Sequence, residues 1–173
     1  MFLIITGNGK GKTTSAIGQA IRVLGQGGKV FFAEFIKSDN FPAGEDKILS
    51  NFGENFHFEK GGLGFVGILG DKLPIEEHKK KAEETFQKAS MAATSGAYNL
   101  VVFDEINNAL SLNLLSESSV LDFVKKVPKE TDIMFTGRNA PVSFLQIADL
   151  ATDCAEIKHP FQEGVSGEKG REF

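Results

Sequence analysis

Two short stretches hold residues whose types and spacing could do chemistry. The first is Thr6-Gly7-Asn8-Gly9-Lys10-Gly11-Lys12-Thr13-Thr14. It is close to the phosphate-loop pattern G-x-x-x-x-G-K-[ST], but Thr6 stands where the first glycine belongs. Phosphate oxygens need several converging donors, and a turn that opens a helix offers backbone N–H groups at the positive end of its dipole. Gly7, Gly9 and Gly11 would let the backbone approach closely and adopt positive φ. Lys12 would then neutralise phosphate charge, with Lys10 as a second cation at the rim and the Thr13 hydroxyl reaching a Mg²⁺ ion.

The second stretch is Val101-Val102-Phe103-Asp104-Glu105. A carboxylate ending an apolar strand is the Walker-B arrangement, which holds Mg²⁺ directly or through water. Side chains alternate along a strand, so Asp104 and Glu105 point opposite ways unless the strand has already ended, and either could be the metal ligand. A third stretch, Thr136-Gly137-Arg138-Asn139-Ala140-Pro141, follows another strand. Arg138 is either a charge clamp on the phosphates or a surface arginine. His159 is either an exposed loop histidine or a group lining the site. His57 and His78 read as structural or solvated, and the three histidines show no metal-ligand spacing.

Such residues must sit at strand ends and helix starts, and the chain supplies both in alternation. Continuous apolar runs at Phe2–Ile5, Val30–Phe35, Leu100–Phe103 and Asp132–Thr136 read as buried strands. Phe56–Phe58 is a short or edge strand, and the last strand is expected at about Cys154–Lys158. Helical spacing joins Ala16, Ile17, Ala20, Ile21 and Leu24, ending at the Gly25–Gly28 cluster. A short helix follows Glu45, and a long one runs from Ile75 to Ser95 with an apolar stripe at Ala82, Phe86, Ala89 and Ala93. Further helices are expected near Ser118–Lys126 and from Pro141. The Lys79–Lys81 run falls on a solvated helix face beside i,i+4 glutamates. The stretch "GGLGFVGILG" from Gly61 to Gly70 reads as a loop. The pattern predicts an α/β fold with a mainly parallel sheet, a P-loop NTPase-like three-layer sandwich, with ligands at the carboxyl ends of the strands. The tail "HPFQEGVSGEKGREF" is expected to pack over the site.

A chain of 173 residues is read as one domain spanning 1–173. Its net charge of -4 argues against a nucleic-acid partner, which would need a basic face. The 16 Phe, against one Tyr and no Trp, are mainly core. The single cysteine, Cys154, reads as a small buried hydrophobe in a reducing compartment. No segment has the length of a membrane span or a signal sequence, so a cytoplasmic protein is expected.

Taken together, "TGNGKGKTT", "EFIK", "GLGF", "VVFDEINNAL", "TGRNAP", "ADLATD" and "EIKHPFQEGVSGEKGREF" resemble the ATP:corrinoid adenosyltransferases, in register from Ile4 to Phe173. The resemblance implies that a Co(I) corrinoid attacks the 5′-carbon of ATP and expels triphosphate, with Mg²⁺, or Mn²⁺ in its place, beside the phosphates. The nucleotide would lie reversed relative to ordinary P-loop proteins. By the same resemblance Asn8 to Thr14 hold the phosphates, Thr13 and Glu105 lie nearest the metal, Lys12, Thr13 and Glu105 carry catalysis, and Arg22 and Asn107 contact ATP. Phe65 matches the aromatic set beneath the corrin ring, where it helps displace the lower axial ligand, and His159 is placed with the corrinoid.

The family's loop commonly reads G-x-G-F-T-W, whereas Gly67 stands here at the tryptophan, leaving Phe65 alone or with Ile68 and Leu69. The chain also starts directly on its first strand, without the extension that can cover the corrinoid, so either a weaker hold on that substrate or a different preferred corrinoid is expected. A homodimer and a reductase, reduced flavin or flavodoxin as electron source are also implied. The competing readings are a P-loop ATPase and a nucleotide-dependent corrinoid-binding protein that performs no adenosyl transfer.

Overall fold

The computed structural model of the chain describes residues 1–38, 42–68 and 70–171. Its elements are β1 (Phe2–Thr6), α1 (Lys12–Gly25), β2 (Val30–Glu34), α2 (Asp46–Leu49), β3 (Phe56–Lys60), α3 (Ile75–Thr94) and β4 (Leu100–Asp104). They continue with α4 (Ile106–Ser111), α5 (Glu117–Val124), β5 (Asp132–Thr136), α6 (Val142–Ile147), β6 (Leu150–Asp153) and a 3₁₀ turn at Pro160–Glu163. The six strands form one sheet in the order β3-β2-β4-β5-β1-β6, and every pairing is parallel.

Period-two alternation divides the apolar strand residues between two faces. Phe2, Ile4, Phe31, Val101, Phe103 and Phe135 lie in one buried cluster with Ala82, Ala89 and Ala93 of α3. Leu3, Ile5, Val30, Phe32, Val102 and Met134 lie in the other with Ala16 and Ala20 of α1. Small residues on both helices let them lie close on the sheet, and the phenylalanines fill the remaining volume. Phe135 meets Phe2 and Phe103 edge-on, each pair 4.9 Å apart between ring centroids. Such pairs contribute about 0.5–1.5 kcal/mol beyond their burial. Helices on both faces of a parallel sheet make the three-layer α/β arrangement the alternation predicts.

Three expectations are corrected. The last strand is Leu150–Asp153, pairing with Leu3–Thr6, and not Cys154–Lys158. It is an exposed edge strand, so it lacks the apolar run that marks the buried strands. Cys154 comes after it, half-buried against the α1-side cluster. A helix not anticipated, α4, begins immediately after β4, because Glu105 takes a left-handed conformation (φ 66°) and turns the chain at once. Among the described residues, no helix is long and apolar enough to cross a membrane. Leu69 and Phe173, both named in the sequence reading, lie outside the described residues.

Strand parity settles the direction of Asp104. It has the parity of Leu100 and Val102, so its side chain faces α1. Glu34 has the same parity on β2 and sits opposite Asp104 in register. Both strands end level with the start of α1, where the phosphate-loop motif stands.

Candidate functional site

The motif from Gly7 to Gly11 turns from β1 into α1. Gly11 precedes the helix with φ 116° and there is no side-chain cap or acidic residue in the first turn. A helix start in this state leaves its N–H groups and positive dipole end open to an anion. Gly7 also has positive φ, 103°. A Cβ on Gly7 would come within 2.6 Å of the Cys154 carbonyl oxygen, and one on Gly9 within 2.7 Å of the Ala155 carbonyl oxygen. The segment after β6 therefore seats the loop from below, with Gly9 N–H donating to the Cys154 carbonyl at 2.7 Å. Thr6, where the usual motif has glycine, is tied in instead: its Oγ1 accepts from the Ala140 N–H at 3.2 Å.

Lys12 is buried and its Nζ donates to the Gly9 carbonyl at 2.6 Å, folding over the loop. Burial and then the nearby Arg138 guanidinium lower its pKa from the ordinary lysine value. Thr13 Oγ1 donates to Asp104 Oδ2 at 3.1 Å. Thr14 Oγ1 donates to the Gly11 carbonyl, while Asn8 and Lys10 are exposed at the rim.

Asp104 is fully buried, and Thr136 Oγ1 donates to its Oδ1 at 2.6 Å. That hydroxyl also accepts from the Glu105 N–H at 2.9 Å, so Thr136 fixes both acids. Burial first, and the Asp104 charge second, raise the Glu105 pKa above the usual carboxylate range. Its carboxylate accepts from the Asn108 side-chain amide, and Asn108 Oδ1 accepts from the Arg138 N–H at 2.6 Å.

Sequence reasoning also missed the pair Glu34 and Lys37. The Lys37 ammonium lies 2.8 Å from Glu34 Oε1 and 3.6 Å from Asp104 Oδ2. Burial pushes Glu34 up to about 7, against the pull of Lys37. Burial alone would lower the Lys37 pKa, but Asp104 and Glu34 outweigh it and hold the ammonium charged. Strand alternation is the signal that could have found Glu34, since its parity matches that of Asp104.

The exposed Arg138 side chain reaches the loop, with a guanidinium nitrogen 3.5 Å from the Asn8 carbonyl. The same arginine lines a cleft of about 430 Å³ with His159, Gln162, Ser166 and Arg171 of the tail. Arg22 is not brought in: it is exposed in the last turn of α1, roughly 15 Å along the axis from Lys12. Asn107 is fully buried, 3.5 Å from the Gly137 carbonyl, and no hydrogen-bond partner of its Oδ1 is found among the described residues.

The second glycine-rich loop leaves β3. Its base is crowded, since Gly61 N–H donates to the Glu34 carbonyl at 2.8 Å and Gly64 N–H to the Ile36 carbonyl at 2.9 Å. Its tip carries exposed Phe65 and Ile68. Asp71 clips the far side, accepting from the Gly67 N–H at 2.8 Å and the Leu73 N–H at 3.0 Å and pairing with the buried His78 at 3.0 Å. Gly67 holds φ 69°, a conformation that strains any larger residue, a tryptophan included.

The oxygen donors fit a small hard cation. Thr13 Oγ1 and Asp104 Oδ2 face each other at the loop, with the Glu105 carboxylate one residue on. No cluster of three His, Cys, Asp or Glu residues that could hold a metal occurs among the described residues. A cation here would take its remaining oxygens from phosphate and water, as Mg²⁺ does.

Comparison with known proteins places these features in context. The family described as ATP:corrinoid adenosyltransferase BtuR/CobO/CobP matches residues 1–173. A corrinoid adenosyltransferase of Pseudomonas aeruginosa is 34% identical over 173 residues, covering 100% of this chain and 83% of that protein. One from Sinorhizobium sp is 32% identical over 174 residues, covering 100% and 80%. One from Escherichia coli is 29% identical over 173 residues, covering 100% and 85%. Among solved structures, the helicase domain of Pyrococcus furiosus Hef matches 97% of this chain and 37% of that one at 16% identity, with a TM-score of 0.44. A likeness that loose adds nothing to the topology described above.

Proposed function

The chain belongs to the ATP:corrinoid adenosyltransferase family, and from that premise we propose how its residues divide the work of adenosyl transfer. The enzyme transfers the 5′-deoxyadenosyl group of ATP to the Co(I) of a corrinoid and releases triphosphate. The cobalt electron pair forms the Co–C bond while the C5′–O bond breaks, and that bond's electrons leave on the triphosphate. No proton moves in this step, so no general base is needed.

The observation that carries this division is one of placement. In a parallel sheet, the loop after β1 and the loop after β3 both emerge at the carboxyl edge, one lined with phosphate donors and the other with exposed Phe65. The open amides from Lys10 to Thr14 hold the triphosphate as a leaving group, leaving C5′ toward the second loop. Lys12 exchanges its Gly9 contact for phosphate, and Lys10 and Arg138 add charge at the rim. Stabilising charge that develops on a leaving group is a large catalytic term. Thr13, Asp104 and Glu105 would hold Mg²⁺ or Mn²⁺, which would supply further positive charge beside the triphosphate. Phe65, with Ile68, gives an apolar surface beneath the corrin ring, and His159 borders the cleft beside Arg138.

The same reading takes a cytoplasmic homodimer served by a reductase, reduced flavin or flavodoxin, because Co(I) needs a strong reductant close by. The test is incubation of the protein with ATP, Mg²⁺ and chemically reduced cobalamin under strict anaerobiosis. A light-sensitive alkyl-cobalt spectrum with stoichiometric triphosphate is expected. Inorganic phosphate released without corrinoid would point to an ATPase instead, and tight corrinoid binding with no spectral change to a carrier.

A further inference from the structure

Lys37 stands in the chain just beyond β2, and its two ends do different things. The ammonium meets three carboxylates: Glu34 Oε1 at 2.8 Å, Glu45 Oε1 at 3.3 Å and Asp104 Oδ2 at 3.6 Å. These acids come from β2, from the residue preceding α2 and from β4. An ammonium has three donors, so Lys37 is engaged with them rather than free for triphosphate. It therefore differs from Lys10 and Lys12, which stand on the phosphate loop itself. The Asp104 oxygen it faces is the one to which Thr13 donates.

The backbone of Lys37 faces the other way. Its carbonyl accepts from the Gly62 N–H at 3.0 Å, and the Ile36 carbonyl accepts from the Gly64 N–H at 2.9 Å. A Cβ on Gly62 would lie 2.2 Å from the Ile36 carbonyl atoms, so the loop base is seated against this segment with no space between them. Phe65 follows directly. Any shift of Lys37 is thus carried into the loop that bears Phe65, and any loss of its charge is felt at Asp104.

We propose that Lys37 is a positioning residue shared by the two halves of the site, bracing the Asp104 carboxylate with its ammonium while its main chain holds the Phe65 loop. The proposal rests on the assignment of the first loop to nucleotide and the second to corrinoid. Without the ammonium, Glu34, Glu45 and Asp104 lose the shared partner that draws them together. The end of β2 then moves away from β4 and takes the loop base with it.

The test is Lys37→Met, with Lys37→Arg as the conservative rescue and Lys88→Met, which breaks an exposed pair with Glu59, as the control. Apparent KM values for ATP and for corrinoid are expected to rise together in Lys37→Met by about tenfold, the scale of a lost charge-assisted contact. Lys37→Arg should restore most of both, and Lys88→Met should change neither. A rise confined to ATP, or no rise in either, overturns the proposal. If Lys37→Met does not fold, Lys37→Gln keeps a polar side chain while removing the charge from Asp104 and should still move both KM values together. A change in one alone overturns the proposal equally. Binding of cob(II)alamin, followed by its paramagnetic spectrum, separates this from the functional reading. A wild type that binds cob(II)alamin yet forms no cobalt–carbon bond defeats the function. The Lys37 proposal is then still decided by whether Lys37→Met weakens cob(II)alamin binding.

Discussion

The two glycine-rich loops at the carboxyl edge use glycine for opposite reasons. In the phosphate loop, Gly7 and Gly9 are crowded: added Cβ atoms would press into the main chain at Cys154 and Ala155. At the tip of the second loop, Gly67 and Gly70 would meet nothing within 4 Å, and what they supply is positive φ. The first loop is seated on β6 and the chain beyond it, as the triphosphate cradle proposed for it requires. The second is seated at its base by Ile36 and Lys37, clipped by Asp71, and open between, as suits the corrinoid-facing surface proposed for it. Crowding makes a glycine irreplaceable, whereas a turn in open space leaves some latitude.

The largest expected effect lies in the crowded loop. Gly7→Ala combines a positive φ with a main-chain clash and should destabilise the protein by on the order of 3 kcal/mol. It should also abolish ATP binding, and a thermal melt with and without Mg²⁺-ATP reads both. Retained ATP stabilisation would break the comparison. Next, Phe65→Ala should leave ATP binding and the melting temperature near wild type. It should lower the rate of adenosylation of cob(II)alamin under reducing conditions by roughly tenfold, about the loss of one aromatic contact. A matching loss in ATP affinity would show that the loops are not separable.

Asp71→Asn should be milder, raising the corrinoid KM a few-fold with kcat little changed. Hydrogen bonds from the Gly67 and Leu73 N–H groups hold the Asp71 carboxyl below its usual range. A depressed carboxylate gives stability that is present above about pH 4, its unfolded value, and is lost as the pH falls through the folded one. The wild-type loop should therefore open to protease only in acid, and the Asn variant should lack that dependence. The smallest effect is expected for Gly67→Ala, costing about 1 kcal/mol for the strained φ with no clash added. A large loss there, seen by melting temperature, would mean the tip is as constrained as the first loop.

Much of this layout was legible in the chain, because local patterns carry it. The apolar runs Phe2–Ile5 and Leu100–Phe103 could only be strands covered on both faces. The glycines before Lys12 and the acids after Phe103 marked the strand ends that matter. Less legible were elements without a strong local pattern. Leu150–Asp153 is an exposed edge strand held through its pairing with β1, so the reading placed it a few residues late. The short helix after Asp104 depends on the left-handed turn at Glu105, which no propensity announces.

By itself, the sequence determined the alternation of elements, the phosphate loop, the acid at the strand end and the family, since each is written in neighbouring residues. Only the tertiary structure decided that Asp104 faces Thr13, that Thr136 and Lys37 brace it, and that Arg22 stands far from the loop. It likewise decided that the Thr6 hydroxyl accepts from the Ala140 N–H, while Gly7 and Gly9 make room for the chain after β6. These contacts join residues far apart in the chain. They arise from strand order and parity, which bring distant strand ends to one edge of the sheet.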